Sequence, residues 1–319
     1  MQRVLLLVGC MHMPDAALDG SMVALVTPMH ADGSIDLDAW ARLLQLQARA
    51  GTDAVVVAGT TGEGAALYSD EITALVQAAV TVFGPHGKVI AGIGSAATAD
   101  SLQRLALAQT AGADAVLAVT PYYNKPPQQG LLAHYRRVAD AARVPLLLYN
   151  VPTRTGVDLL PDTVSALAAH ERIVGLKEAN AEAGRLQALQ ALLEDDFILL
   201  SGDDNSCTES MLSGAHGVIS VAANLVPAQF ARLVALARAG DQAGANSLQQ
   251  SLQPLFATLN AISNPIAIKW ALASVGQIDS GIRLPLIWMP ADLQHQHLPV
   301  IQTAWERDQA LLATLNDSG

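Results

Sequence analysis

Aromatic residues make up only 4% of this 319-residue chain, charged residues only 15%, and cysteines number two. Each scarcity excludes something. Cys10 and Cys207 offer neither a disulfide framework nor a metal-ligand spacing, and they fit a reducing, cytoplasmic compartment. Basic residues are outnumbered 18 to 29, giving a net charge of −11, and no basic run occurs. Nucleic acid and anionic membrane are therefore not expected partners. No apolar run approaches the length of a membrane-spanning helix. No G-x-G-x-x-G follows the first strand pattern, and Gly92-Ile93-Gly94 is only a fragment in the wrong place. No serine nucleophile elbow is present. Asp203-Asp204 has no histidine or third carboxylate at metal-binding spacing, so no metal is expected.

What is present is a large apolar fraction, 51%, built from Ala, Leu, Val and Gly. That mixture suits helices packed on buried strands. Residues 1 to 18 read as an extension outside the fold. Their short apolar stretch after Arg3 is interrupted by Gly9, Cys10 and His12, and no small-residue cleavage site follows. Met11 and Met13 offer alternative starts. From there, short apolar runs alternate with helical patterns. Strands are expected at 21–27, 54–58, 89–92, 115–119, 146–149, 173–176, 197–200 and 218–221. Helices are expected at 36–50, 69–83, 98–111, 128–142, 161–169, 183–193, 205–213 and 227–239. Asp36 suits a helix N-cap. Eight strand-helix units in about 220 residues predict a (β/α)8 TIM barrel over 19–240. The strands read as continuous apolar runs, as strands buried on both faces do. A doubly wound open sheet is the alternative. After Gly240 three helical stretches follow without strands, at 242–259, 265–275 and 292–315, predicting a C-terminal helical subdomain over 241–319.

The stretch IVGLKEAN at 173–180 ends an apolar strand in Lys177. A buried lysine is either a paired structural cation or a neutral amine able to form a Schiff base. In a barrel the C-terminal strand ends converge on one face. That face would carry Thr60 and Thr61, the TPYYN run at 120–124, Tyr149, Arg154, Lys177, Gly202 and the Asp203-Asp204 pair. Singly, each has a structural explanation: threonines beside glycines cap turns, a strand-end tyrosine packs, and paired aspartates cap helices. Gathered around one buried lysine, they describe chemistry. Lys177 would attack a carbonyl and expel water. Tyr149 would shuttle protons. Thr60, Thr61 and nearby N–H groups would hold one carboxylate, and Arg154 a second. The reading is a class I aldolase or lyase acting on a 2-oxo acid.

From about Gly20 to the C-terminus the chain resembles the dihydrodipicolinate synthase family, within the pyruvate-dependent lyases that include N-acetylneuraminate lyase. GTTGE at 59–63, TPYYN at 120–124, YNVPTRTG at 149–156, GLKEA at 175–179, LLSGDD at 199–204 and NPIAIKWAL at 264–272 carry the resemblance. It implies that Lys177 forms an imine with pyruvate and that Tyr149 relays protons. Thr60 would link Tyr149 to Tyr123, which in the family enters from the neighbouring subunit. Thr61 would hold the pyruvate carboxylate, Arg154 would receive aspartate 4-semialdehyde, and Gly202 and Ile219 would line the site through their backbones. It further implies a homotetramer, the diaminopimelate and lysine pathway, and no cofactor beyond the covalent imine. Two other readings stand beside it: an aldolase for a sugar-derived 2-oxo acid, and a non-catalytic paralogue. Arg154 favours a short substrate with its own carboxylate. Thr60-Thr61, where the sialic-acid lyase has Ser-Thr, points the same way.

One departure has a consequence. Where lysine-inhibited members carry histidines and an asparagine, this chain has Gly64, Ser69, Ile72 and Ala96, with Asp100 and Tyr122 still polar. Few groups remain to bind the charged ends of lysine, so inhibition is expected to be weak or absent. Strong inhibition at modest lysine concentration in a coupled assay would contradict this.

Overall fold

The computed structural model describes residues 18–180, 182–193 and 196–316. Apart from Leu18, the sequence-expected extension lies outside the described residues. Leu18 itself is 4% exposed and packs in an apolar cluster with Met22 and Ile219, so it belongs to the fold.

Eight parallel strands close on themselves: β1 (Gly20–Ala24), β2 (Ala54–Val57), β3 (Lys88–Gly92), β4 (Ala115–Val119), β5 (Leu146–Asn150), β6 (Ile173–Glu178), β7 (Ile198–Ser201) and β8 (Gly217–Ser220). The ring closes because β8 pairs with β1 in register, Met22 opposite Ile219. That seam needs glycine: a Cβ on Gly217 would sit 2.2 Å from the Gly20 carbonyl oxygen. The (β/α)8 barrel expected from the alternating runs is therefore the observed fold, and the open sheet is excluded by the closure.

Both faces of each strand are apolar, and they feed different clusters. Ala54 and Val56 of β2 point inward to meet Met22, Ile90, Leu117, Leu147 and Leu200. Val55 and Val57 belong to the larger cluster between strands and helices. This is why the runs show no polar alternation.

The helical layer comprises α1 (Leu37–Arg49), α2 (Ser69–Val82), α3 (Thr98–Ala111), α4 (Gln128–Ala141), α5 (Pro152–Thr155), α6 (Pro161–Ala168), α7 (Arg185–Gln190), α8 (Cys207–Leu212) and α9 (Pro227–Arg238). Asp36 caps α1 as expected, accepting from Ala39 N at 2.9 Å. The four-residue α5 was not anticipated from sequence. It starts at Pro152, whose fixed φ suits a first helical turn.

Two strand boundaries differ from expectation in ways that matter. The first strand ends at Ala24 rather than at residue 27, although Leu25 to Thr27 stay buried. Asn224 diverts the chain there, donating to Ala24 O at 2.8 Å and accepting from Val26 N at 2.9 Å. The sixth strand runs on to Glu178 rather than stopping at 176, so Lys177 is itself a ladder residue.

Three further helices follow: α10 (Gln242–Leu259), α11 (Ile266–Ser274) and α12 (Ala291–Asn316). Leu252, Phe256, Ile266, Trp270 and Ile301 join the same core cluster as the barrel helices. The region also clamps the loop after β2. Lys269 on α11, fully buried, pairs with buried Glu63. Arg283 donates its backbone N–H to Glu63 Oε2 at 3.0 Å and its guanidinium to Glu71 and to the carbonyls of Gly33 and Ala66. No described helix is long and apolar enough to cross a membrane.

Candidate active site

The C-terminal strand ends open into a cleft of about 600 Å³. Lys177, Tyr149, Thr60, Thr61, Arg154 and Gly202 all line it. Tyr149 and Lys177 are opposite each other in the β5–β6 ladder, so both side chains leave the strands on the inner face. Lys177 Nζ sits 4.4 Å from the centre of the Tyr149 ring.

The two groups are tuned by their surroundings. Lys177 is 5% exposed. Burial lowers its pKa from 10.5 to about 8, while Asp204 pulls it back up and Arg154 pushes it further down. Near neutral pH a usable fraction is therefore free amine, the nucleophilic form. Burial pushes the Tyr149 phenol up to about 12, opposed by Arg154 and reinforced by Glu178. It stays protonated and can serve as a donor.

Local glycine chemistry brings the walls together. A Cβ on Gly202 would fall 3.1 Å from Lys177 Cε and 2.9 Å from the Ala179 Cβ, so only a residue without a side chain lets this loop cross the lysine. Thr61 is buried and accepts a hydrogen bond from Asn264 Nδ2 at 3.0 Å. With that lone pair taken, its hydroxyl proton is left to donate into the cleft. Arg154 is exposed on α5 at the rim, where a guanidinium can receive a carboxylate bidentately.

Two residues named from the resemblance stand elsewhere. Tyr123 is 92% exposed, has φ +74°, and is not among the cleft-lining residues, although Tyr122 is. Among the described residues, no hydrogen bond joins Thr60, Tyr149 and Tyr123, so the single chain does not assemble that relay. Ile219 is not among the lining residues either. Its side chain is in the inner apolar cluster with Met22 and Leu200.

Other participants were not recognised from sequence. Glu178, beside the lysine, points to the outer side of the ladder. It accepts from Asn150 Nδ2 at 2.9 Å, Asn180 N at 2.7 Å and Arg185 Nε at 2.9 Å. Arg185 also pairs with Asp158 at 3.1 Å, and Asn150 donates to Asp158 at 2.7 Å. This network ties the residue after Tyr149 to the residue after Lys177, fixing the two strand ends against each other. Asn150 and Glu178 sit within the motifs already singled out, but nothing local marks Arg185 or Asp158 as their partners. Asn264, too, meets Thr61 only across 203 positions. Among the described residues, no group of three His, Cys, Asp or Glu is arranged to hold a metal.

Residues 17–304 match the model of the dihydrodipicolinate synthetase family. The chain belongs to that family. Among relatives of this dihydrodipicolinate synthetase member, the 4-hydroxy-tetrahydrodipicolinate synthase of Xanthomonas campestris pv. campestris is 48% identical over 280 residues, covering 88% of this chain and 92% of its own. The chloride-inhibited dihydrodipicolinate synthase from Acinetobacter baumannii, solved in complex with pyruvate, superposes with a TM-score of 0.88 at 41% identity, covering 90% and 99% of the two chains. A structure described as the first monomeric dihydrodipicolinate synthase variant matches with a TM-score of 0.86 at 34% identity, covering 91% and 97%.

The buried amine should cost stability where it is charged. Its folded-state pKa lies below the unfolded value, so the penalty is complete below about pH 8 and fades as pH rises toward 10.5. Lys177→Met is expected to raise the unfolding free energy at neutral pH by about 1–3 kcal/mol, with the gain shrinking in alkali. Urea unfolding of both proteins at about pH 7 and about pH 10 checks this. A variant that is less stable at both would contradict it.

Proposed function

We propose that this chain is a 4-hydroxy-tetrahydrodipicolinate synthase, joining pyruvate to aspartate 4-semialdehyde through an imine on Lys177. The observation that carries the reading is the buried Lys177 amine, its pKa lowered to about 8, against the Tyr149 ring at the mouth of the barrel. The names borne by its close relatives agree with it.

The steps follow from the groups present. The Lys177 amine adds to the pyruvate ketone carbon. Tyr149 protonates the departing hydroxyl of the carbinolamine, water leaves, and an iminium remains. Thr61 holds the pyruvate carboxylate by donation from its hydroxyl. Loss of a methyl proton gives an enamine, which attacks the aldehyde carbon of the second substrate while Arg154 holds that substrate's carboxylate. The substrate amine then attacks the iminium carbon, closes the ring and frees Lys177. Proton transfers and one covalent adduct complete the cycle, which calls for no metal or organic cofactor.

Tyr123 bears on assembly. Tyr123 is 92% exposed and held in a left-handed backbone conformation, which costs a non-glycine residue about 1–3 kcal/mol. We infer that it completes the relay of a second copy, within a homotetramer built from two such dimers.

Trapping, turnover and sedimentation test these readings. Incubation with pyruvate, borohydride reduction and mass spectrometry should show one adduct on Lys177, absent in Lys177→Ala. Arg154→Ala should keep the adduct but lose at least about a hundredfold in turnover with aspartate 4-semialdehyde, since a bidentate charged contact is worth about 3 kcal/mol. No adduct on the parent enzyme would sink the Schiff-base mechanism, and an arginine variant unable to trap pyruvate would refute the role given to Arg154. For assembly, sedimentation should find dimers or tetramers, and Tyr123→Phe should slow turnover at unchanged oligomer size. A fully active monomer would overturn that assignment.

A further inference from the structure

Asp204 differs from the other carboxylates near the cleft in having one oxygen unengaged. Its Oδ2 accepts from Ala222 N at 2.8 Å and Val221 N at 3.2 Å, just past the end of β8. Its Oδ1 is buried and has no hydrogen-bond partner among the described residues. A buried carboxylate oxygen without a donor is unfavourable unless positive charge offsets it.

The neighbouring acids are accounted for. Asp203 is held by Ser206 N at 3.0 Å and Ser206 Oγ at 2.8 Å. Glu178 is held by Arg185, Asn150 and Asn180 on the far side of the strand. Asp204 and Lys177 line the same cleft, and Gly202 lets the chain leading to Asp204 cross directly over the lysine stem. After burial, Asp204 is the strongest influence on the Lys177 amine, and it favours the charged form, against Arg154. Burial raises the Asp204 carboxyl to about 6, opposed by the Ala222 N–H, a hydrogen bond from the Ser220 hydroxyl and the Val221 N–H and reinforced by Asp203, with the buried Cys207 thiol nearby.

We propose that Asp204 is the counter-ion of the cation that forms at Lys177, a positioning residue that stabilises the iminium of the bound 2-oxo acid without contacting the substrate. The proposal rests on the imine reading of Lys177. The free amine and the carbinolamine are neutral at nitrogen. When the carbinolamine loses water, the C=N nitrogen becomes positive in the same buried place, and proton loss from the methyl carbon to give the enamine removes that charge again. A fixed carboxylate therefore stabilises the two cationic states, the iminium and the resting ammonium, over the free amine, the carbinolamine and the enamine. The two effects make opposite predictions for attack and for adduct stability, which separates this role from simple support of the loop.

Borohydride trapping of pyruvate across about pH 5 to 10 tests it, using the parent enzyme and Asp204→Asn, which keeps a carbonyl oxygen for the Val221 and Ala222 N–H groups. The acid limb of adduct formation should move to lower pH by about one unit, because the lysine loses its neighbouring negative charge. Above about pH 8, where the resting lysine is free amine, the pyruvate concentration for half-maximal trapping should rise about tenfold, because only the iminium loses that charge; at lower pH the ammonium loses it too and the two losses offset. A limb and a half-maximal concentration both within about twofold of the parent would overturn the proposal. If the parent itself traps no pyruvate, the imine reading fails instead. If Asp204→Asn is not recovered folded, Asp204→Ser, which also removes the charge, is read against the same two outcomes.

Discussion

One amine taken out of water organises this molecule. Lys177 is nearly fully buried at the end of an apolar strand, and that desolvation is what shifts its ammonium toward the free amine. Everything close to it serves to make the burial tolerable or to make it useful. Tyr149 covers one side of the amine with a ring face. Gly202 leaves room for the opposite wall. Asp204 supplies a compensating charge, and Arg154 opposes it from the rim. The lysine pKa of about 8 is the balance of these influences, with burial the largest.

The same logic explains why the polar network sits on the outer side of the strands. Asn150, Asp158, Glu178 and Arg185 satisfy one another, so a charged cluster can be buried without unpaired groups. Because Asn150 follows Tyr149 and Glu178 follows Lys177, the cluster holds those two residues in register from behind. The C-terminal region, through α11 and the loops beside it, does the equivalent for the loop after β2. Lys269, Arg283 and Asn264 fix Glu63 and Thr61 from residues two hundred positions away. The helices after the barrel thus contribute to the cleft as well as to the core.

The family likeness and the geometry meet on the same residues. Among the positions named from the resemblance, six line one cleft. Tyr123 and Ile219 do not, for different reasons: Tyr123 is turned outward, while the Ile219 side chain packs in the barrel interior.

Much of this was legible in the linear chain. The eight apolar runs predicted the strands to within a few residues, because strands buried on both faces need continuous hydrophobicity. The position of Lys177 at the end of such a run marked it as unusual before any contact was known. The sequence by itself determined the number and order of strand-helix units, the place of Lys177 at a strand end, and the gathering of hydroxyls and one arginine at the strand ends. The tertiary structure alone decided the rest. Ring closure depends on how strands twist and meet, at Gly217 against Gly20. The partners of Glu178, Glu63 and Thr61 lie at distances in sequence that no local pattern encodes. The pKa of Lys177 is a property of the space around it, since desolvation and facing charges are set by which walls the fold brings together.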